Sequence, residues 1–307
     1  MKEKAIKRSY FKTQTGDRVF AFALLLPAII TTVAFILIPV ADSIYRSFFD
    51  YKVKNIISGK PGIWNDFANY TKLFSNGKLL PSITNTLVFV LGVVTVQFIL
   101  GMALALILNS DIRFSRFIRS IMMVPWVVPT LISGLIWLWL FQPQYGLVKY
   151  FVGILTGGRV TEFAVLNNPA TAMFGVSTAA LWKQIPLAAL LLLAGLANVP
   201  EEILEAAKID GANGVQRFFN IILPYMKSVI KVTVSMSIIE NFKQFPLFWT
   251  MTGGGPNNST TTMAILSYRE AFVSNNFGSG AAVTTVWMLL MIVVVFIYNR
   301  MFQADDM

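Results

Sequence analysis

The chain has 307 residues, of which 55% are hydrophobic and 13% charged, with a mean hydropathy of +0.64 and a formal net charge of +10. So much apolar surface exceeds what a water-soluble core can bury, so the composition excludes an ordinary soluble protein and indicates a membrane protein. The bases flank apolar runs and form no continuous patch of the kind that tracks phosphates, which argues against nucleic acid as a partner.

Apolar runs of membrane-spanning length follow one another along the chain. About 20 apolar residues in a helix cross the hydrocarbon core, and on this criterion we predict six spans, at 19–41, 84–108, 119–141, 172–197, 226–249 and 279–300. A transmembrane β-barrel would show segments of about ten residues with alternating polarity, and continuous runs such as LLLLAGL exclude it. We therefore predict an all-α, polytopic membrane protein with six transmembrane helices.

Basic residues set the orientation of these spans, because lysine and arginine accumulate in cytoplasmic loops. With the N-terminus inside, most bases lie close to the cytoplasmic helix ends, so we predict an N-in, C-in topology. The first run exceeds the about 7 to 15 apolar residues of a cleaved signal peptide, and we expect it to stay as the first helix. The resulting division is a cytoplasmic segment at 1–18, a membrane domain at 19–303 with an extracellular loop at 42–80 and a cytoplasmic loop at 198–225, and a tail at 304–307.

The cytoplasmic loop at 198–225 contains the polar stretch EEILEAAKIDGANGVQRFFNIILP between two apolar runs. Asn198 is suited to cap a short helix and Pro200 to occupy its first position. Gly211 suits a left-handed helix end, and Pro224 is expected to kink the chain as it re-enters the membrane. From periodicity alone, an amphipathic helix lying on the bilayer surface fits this stretch equally well.

The same stretch contains a composite motif. Its residues spell EAA-x3-G-x9-I-x-L-P, from Glu205 to Pro224. This motif resembles the EAA loop in permease subunits of binding-protein-dependent ATP-binding-cassette (ABC) importers. Segments elsewhere in the chain resemble the carbohydrate-type, maltose permease-like branch of that family, among them NYTKLF at Asn69, LWKQIP at Leu181 and TGGGPNNST after the fifth span.

The resemblance implies the type I ABC importer permease fold, in the plasma or inner membrane. It implies that this chain forms half of a translocation pathway for a sugar or related solute. The implied partners are a second permease subunit, usually a different chain, two copies of a cytoplasmic ATPase, an extracellular solute-binding protein and membrane lipid. The residues implied to couple this chain to the ATPase are Glu205, Ala206, Ala207, Asp210, Gly211, Ile221, Leu223 and Pro224.

Catalysis by the chain itself is not expected. No G-x-x-x-x-G-K-[ST] phosphate-binding loop occurs in the sequence. The chain has no histidine and no cysteine, which removes the commonest metal ligands and the Ser-His and Cys-His nucleophile arrangements. We therefore expect no catalytic residues, no metal site and no cofactor, and ATP hydrolysis in a separate subunit.

Candidate residues for contact with the solute lie in the fifth span, because ionisable groups in a membrane normally face a cavity or pair with each other. The candidates are Glu240, Asn241, Lys243, Phe245 and Trp249, the last two offering flat faces against which a sugar ring could stack. The alternative is that Glu240 and Lys243, three residues apart on one helix face, only neutralise each other.

Other residues receive a structural interpretation. We expect Lys183 to extend towards the outer interface, and Trp137 and Trp139 to belong to the interfacial aromatic belt. Two alternatives for function stay open at this point: a self-contained secondary transporter or channel, and an ABC permease for a solute other than a sugar. A secondary transporter tends to contain internal repeats, and no second copy of the EAA or TGGGP pattern occurs.

Overall fold

A computed structural model describes residues 19–110, 113–159 and 164–303. The predicted segments at 1–18 and 304–307 lie outside the described residues. In chain order the helices are α1 Val19–Arg46, α2 Val53–Ile57, α3 Ala68–Ser75, α4 Leu79–Asn109, α5 Ser115–Val127, α6 Thr130–Leu140, α7 Leu147–Leu155, α8 Ala172–Leu196, α9 Glu201–Ile209, α10 Gly214–Tyr225, α11 Lys227–Phe242, α12 Pro246–Met251, α13 Met263–Tyr268 and α14 Phe277–Gln303. Two short strands, β1 Phe49–Asp50 and β2 Ile63–Trp64, pair antiparallel in the loop between α1 and α4.

In the part of the chain that the structure describes, four helices are long and apolar enough to cross a membrane: α1, α4, α8 and α14. The bent pairs α5–α6 and α10–α11 raise the number of spans to six if each pair is one span. The predicted all-α architecture of six membrane segments is therefore confirmed, with two of the six segments bent.

The third and fifth predicted spans are interrupted by breaks in the helix. The run at 119–141 turns by 92° between α5 and α6, where Pro129 lacks the N–H that a continuing helix needs. Within the run at 226–249, helix α11 ends at Phe242 and helix α12 begins at Pro246. Hydropathy counts apolar residues and carries no information about the direction of the chain, so the sequence predicts these two spans without their bends.

Helices α4 and α8 pack tightly at the centre of the molecule. A Cβ atom on Gly101 would lie 3.3 Å from the Cβ atom of Ala188, and Ala105 and Ala189 are fully buried. Small residues let membrane helices approach closely, and this close packing replaces the hydrophobic driving force that lipid does not supply. The central pair therefore forms a frame on which the bent segments are placed.

Buried apolar side chains form clusters at both ends of this frame. The inner cluster consists of Met102, Ala105, Leu108, Leu192, Leu193, Leu196, Met226 and Ile230, with Phe302 of α14 packed against it. The outer cluster consists of Leu73, Leu79, Met263, Leu266, Ala282 and Val283. The loop that contains α9 and α10 thus lies at the same end as the last turn of α14, as the predicted topology requires.

The first helix is packed over only part of its length. Its apolar window has no buried side chain, whereas its last part, Ile38–Arg46, packs against α14. A π-helical turn at Val33–Leu37 separates the two parts. Further π-helical turns among the described residues lie within α10, at Phe218–Ile222, and directly after α13, at Arg269–Val273.

Candidate functional site

The predicted coupling residues lie on α9 and α10, at the inner end of the molecule. Helix α9 ends at Ile209, and Gly211 follows with φ +82°, the left-handed conformation that glycine adopts without strain. The N–H of Gly211 donates to Lys208 O at 3.1 Å, and the N–H of Ala212 donates to Ala207 O at 2.9 Å. These two bonds form a Schellman motif, which fixes the direction in which the chain leaves α9.

One face of α9 is open to solvent. Glu205, Ala206 and Asp210 are exposed, and Ile209 is 87% exposed, although it is a large apolar residue. Ala207 is half-buried on the opposite side. An exposed apolar side chain next to small alanines is suited to contact with another protein, since the alanines allow a second backbone to approach.

Helix α10 returns the chain towards the membrane. Asn213 caps it through a reciprocal pair of bonds with Gln216, at 2.9 and 2.8 Å. Ile221 and Leu223 are half-buried, Leu223 packs against the inner cluster, and Pro224 precedes the 75° bend into α11. The kink predicted at Pro224 is therefore observed.

Asn198 does not cap α9. The cap position is Pro200, and the side-chain Nδ2 of Asn198 donates to Ala194 O at 3.2 Å, near the end of α8. The prediction for Asn198 was wrong because the last carbonyls of α8 also lack helical partners and lie closer to this side chain.

A cavity of about 530 Å³, which we call the inner cavity, lies between α4, α5, α8 and α11. Its polar lining residues are Gln97, Thr130, Lys183, Gln184, Thr233, Ser237, Glu240, Lys243 and Gln244. Hydroxyl, amide and charged groups of this kind are hydrogen-bonding partners for a polyhydroxylated solute.

A network of amide hydrogen bonds forms one wall of the inner cavity. Asn241 and Gln184 bond to each other twice, at 2.9 and 3.1 Å, and Asn241 also donates to Ser237 O at 2.9 Å. Gln97 donates to Ser237 Oγ at 3.0 Å, while its own Oε1 is buried without a partner among the described residues. Asn241 itself is only 2% exposed, so it orients Gln184, and Gln184 is the residue that faces the cavity.

We expect Asn241→Leu to lower the stability of the chain by about 1 to 3 kcal/mol, because the Gln184 amide then lies partly buried without partners. The thermal unfolding midpoint of the purified protein measures this effect. Gln184→Leu should give a similar loss, and the double variant should lose less than the two changes added together. Gln244→Leu is the control, since Gln244 lines the same cavity and has no side-chain hydrogen bond among the described residues. Fully additive losses would contradict the network.

Lys183 of α8 lies at the bend between α5 and α6. Its Nζ donates to Trp126 O at 3.0 Å and to Val128 O at 2.5 Å. In an unbroken helix these two carbonyls would accept from the N–H groups of Thr130 and Ile132. The expected extension of Lys183 to the outer interface was wrong, because the broken helix offers acceptors nearer to the ammonium group.

The tryptophans of the third span differ from each other. Trp137 is partly buried and meets Trp182 edge to face at 6.0 Å, and its interfacial position stays a prediction. Trp139 is 69% exposed, and its interfacial position stays a prediction.

The other predicted solute-contact residues divide between two places. Lys243 Nζ lies 2.7 Å from Glu240 Oε1, so the predicted pairing is present, and both residues also line the inner cavity. Phe245 and Trp249 stack with ring centroids 5.7 Å apart, and Tyr268 meets Trp249 edge to face at 4.6 Å. Trp249 therefore lies on α12, beyond the break in the fifth span, whereas the charged pair lies at the end of α11.

Trp249 lines a second cavity of about 640 Å³, which we call the outer cavity. Lys78, Asn85, Asn258, Arg269 and Glu270 also line it. Arg269 holds the TGGGPNNST loop in place by donating to Asn258 Oδ1 at 2.7 Å and to Gly253 O at 2.6 Å. This loop therefore forms a fixed wall of the outer cavity.

Sequence reasoning missed Gln97, Gln184 and the role of Lys183. Gln97 stands out as a polar residue within the 31-residue apolar helix α4. Because a polar group in a membrane helix needs a hydrogen-bond partner, its position alone could have indicated a polar contact inside the molecule. Only the folded chain shows that this partner, Ser237, lies 140 residues away.

Comparisons with known proteins show the family to which this chain belongs. The family model described as binding-protein-dependent transport system inner membrane component matches residues 97–305. The sulfoquinovosyl glycerol transport system permease protein SmoG of Agrobacterium fabrum is 33% identical, over 99% of this chain and 97% of its own length. The trehalose/maltose transport system permease protein MalF of Thermococcus litoralis is 31% identical, over 96% and 98% of the two chains.

A solved structure shares the fold. A chain of a bacterial ABC transporter involved in the import of the acidic polysaccharide alginate superposes with a TM-score of 0.78, at 20% identity, over 95% of this chain and 98% of that chain. The chain belongs to the family of binding-protein-dependent transport system inner membrane components, and is a multi-pass membrane permease of an ABC importer and not an enzyme.

Proposed function

We propose that the chain imports a carbohydrate or a closely related polyhydroxylated solute, with the inner cavity as its half of the pathway. The observation that carries this proposal is the lining of that cavity by amides, hydroxyls, the charged pair of Glu240 and Lys243, and Lys183. Such groups exchange hydrogen bonds with several hydroxyls of one solute. The names of SmoG and MalF refer to sugars or sugar derivatives, which supports the same class of solute.

Coupling to ATP hydrolysis takes place at α9 in this proposal. The exposed face of Glu205, Ala206 and Ile209 contacts the ATPase, and the Schellman motif at Gly211 transmits its movement to α10. Ile221, Leu223 and Pro224 then connect α10 to α11, which lines the inner cavity. The path from the ATPase to the solute thus runs through one continuous segment of chain.

One chain offers a single coupling helix, so two cytoplasmic ATPases require two permeases. We expect the importer isolated through an affinity tag on this chain to contain a second, different permease, two ATPase subunits and a site for an extracellular binding protein. Native mass spectrometry of the complex measures the composition. Two copies of this chain with no other permease would contradict the heteromeric assembly, and the absence of any ATPase would contradict the coupling role.

Aromatic stacking gives a second test of the solute class. We expect Trp249→Ala to raise the KM for uptake of a ring-shaped solute about 2- to 10-fold, because a ring contact contributes about 0.5 to 1.5 kcal/mol. Uptake into vesicles that contain the assembled importer, with sugars and amino acids offered in parallel, gives the measurement. Trp139→Ala is the matched control, since Trp139 is exposed and lines neither cavity. Uptake of an amino acid and no sugar would reject the proposed solute class.

A further inference from the structure

Two short helices begin at the inner cavity, and one of them, α12, extends from there to the outer cavity. Thr130, at the start of α6, and Pro246, at the start of α12, line the inner cavity, whereas Trp249, one turn further along α12, lines the outer cavity. Each helix restarts the chain after a break in its span. We call α6 and α12 the half-helix pair.

The half-helix pair is packed as one unit. A Cβ atom on Gly134 of α6 would lie 3.0 Å from Thr250 Cβ of α12, which leaves no room between the two helices. Ser133 and Leu247 are both fully buried. A displacement of α6 therefore carries α12 with it.

The position of α6 relative to the central frame depends on the bend that precedes it. Pro129 donates no hydrogen bond there, and the two carbonyls at the bend, of Trp126 and Val128, accept from Lys183. In the part of the chain that the structure describes, Lys183 has no carboxylate within ion-pair distance, so its ammonium is committed to these carbonyls. The backbone that carries Lys183 is held in place, because α8 packs along α4.

From these contacts, and resting on the proposed function of the cavities, we propose that Lys183 is a positioning residue for transport. Its ammonium clamps the bend of the third span to α8 and so holds the half-helix pair across the path between the two cavities. Loss of the two bonds frees α6, with α12 attached, and opens the inner cavity towards the outside in the resting importer.

Because the chain contains no cysteine, the proposed role of Lys183 can be tested by thiol labelling. Thr130→Cys places the chain's single thiol in the lining of the inner cavity. The assembled importer in vesicles, without nucleotide, is exposed from outside to a membrane-impermeant methanethiosulfonate, and modification of this chain is followed by mass. We expect Lys183→Met to raise the labelling rate at least about tenfold, because two bonds from a charged donor are lost. Lys183→Arg retains a charged donor and should raise the rate less.

Two reference positions separate movement from misfolding. Ile57→Cys, 81% exposed in the outer loop, should label at one rate in all variants, and Ile209→Cys, 87% exposed at the inner end, should stay unlabelled from outside. Unchanged labelling of Thr130→Cys in Lys183→Met would overturn the proposal. So would lost uptake with unchanged labelling, which would make Lys183 a solute contact.

Failure of the proposed function gives a different result. ATP with vanadate arrests the ATPase, and labelling of Thr130→Cys in that state reports whether the inner cavity opens outwards during the cycle. If Thr130→Cys stays unlabelled in the vanadate-arrested state, in a chain with native Lys183, the inner cavity is not part of the pathway. If Thr130→Cys is labelled in the vanadate-arrested state, but Lys183→Met does not change the labelling rate without nucleotide, the role of Lys183 is rejected and the cavity remains a pathway.

Discussion

Gly211→Pro is expected to leave the chain in the membrane and to abolish solute-stimulated ATP hydrolysis by the importer. Gly211 has φ +82°, and proline is restricted to about −65°. Proline also lacks the N–H that donates to Lys208 O at 3.1 Å. The end of α9 must therefore rebuild, and the direction from α9 to α10 changes while the spanning helices keep their contacts.

The effect comes from backbone conformation and not from crowding, since no atom lies within 4 Å of an added Cβ at Gly211. A non-glycine residue in such a conformation costs about 1 to 3 kcal/mol, and proline is excluded from it altogether. ATP hydrolysis is measured in vesicles, at equal amounts of assembled importer, with and without solute-loaded binding protein.

Gly214→Pro is the matched control for this experiment. Gly214 is the first residue of α10, where proline is well tolerated, and its surroundings are equally open. Normal stimulation is expected in Gly214→Pro. Normal stimulation in Gly211→Pro as well would refute the coupling role of the helix end.

The second large effect is expected from Glu240→Gln combined with Lys243→Gln, which should reduce solute uptake about tenfold or more. The pair is more than half exposed on both side chains, at 63% and 55%, and exposed pairs contribute only about 0 to 1 kcal/mol to stability. The double change removes both charges together and so leaves neither one uncompensated. Assembly and basal ATP hydrolysis should therefore stay normal, and the loss of uptake reports on the pathway.

A control pair of similar geometry is present at the outer end of α1. Arg46 and Asp42 lie 2.6 Å apart with side chains 41% and 49% exposed, and neither residue lines the inner cavity. Asp42→Asn with Arg46→Gln should leave uptake near wild type. Wild-type uptake in the Glu240 and Lys243 double variant, together with an unaffected Trp249→Ala, would move the solute site away from this face of the fifth span.

Local chemistry explains which features the sequence predicts well. The end of α9 at Gly211 and the kink after Pro224 depend on residues within a few positions of each other, so composition and spacing are enough to predict them. The membrane segments are also predicted well, because their length and hydropathy are properties of a continuous stretch of sequence. The bends of the third and fifth spans are not, because a membrane helix tolerates proline when neighbouring groups satisfy the freed carbonyls. In the third span that neighbour is Lys183, which lies 55 residues from Val128.

The cavities depend on contacts that are distant in sequence. Glu240 and Lys243 were recognised because charge is conspicuous in an apolar run, whereas Gln97 and Gln184 carry no charge and reach the cavity only through folding. The separation of Trp249 from Glu240 was equally hidden, since Pro246 is compatible with a continuing membrane helix and does not by itself show that the helix stops at Phe242.

The π-helical turn in α1 has a consequence for comparing this chain with its relatives. A turn closed by bonds to the fifth residue holds one residue more than an α-helical turn, so Val33–Leu37 is equivalent to an α-helix with a single inserted residue. Removing one residue there, such as the 79% exposed Phe35, would restore a regular α-helix, in which the first part of α1 keeps its orientation relative to Ile38–Arg46 on α14. Length differences of one residue at this position are therefore compatible with an unchanged fold, and a gap in an alignment there marks a change of helix geometry inside the membrane and not a loop.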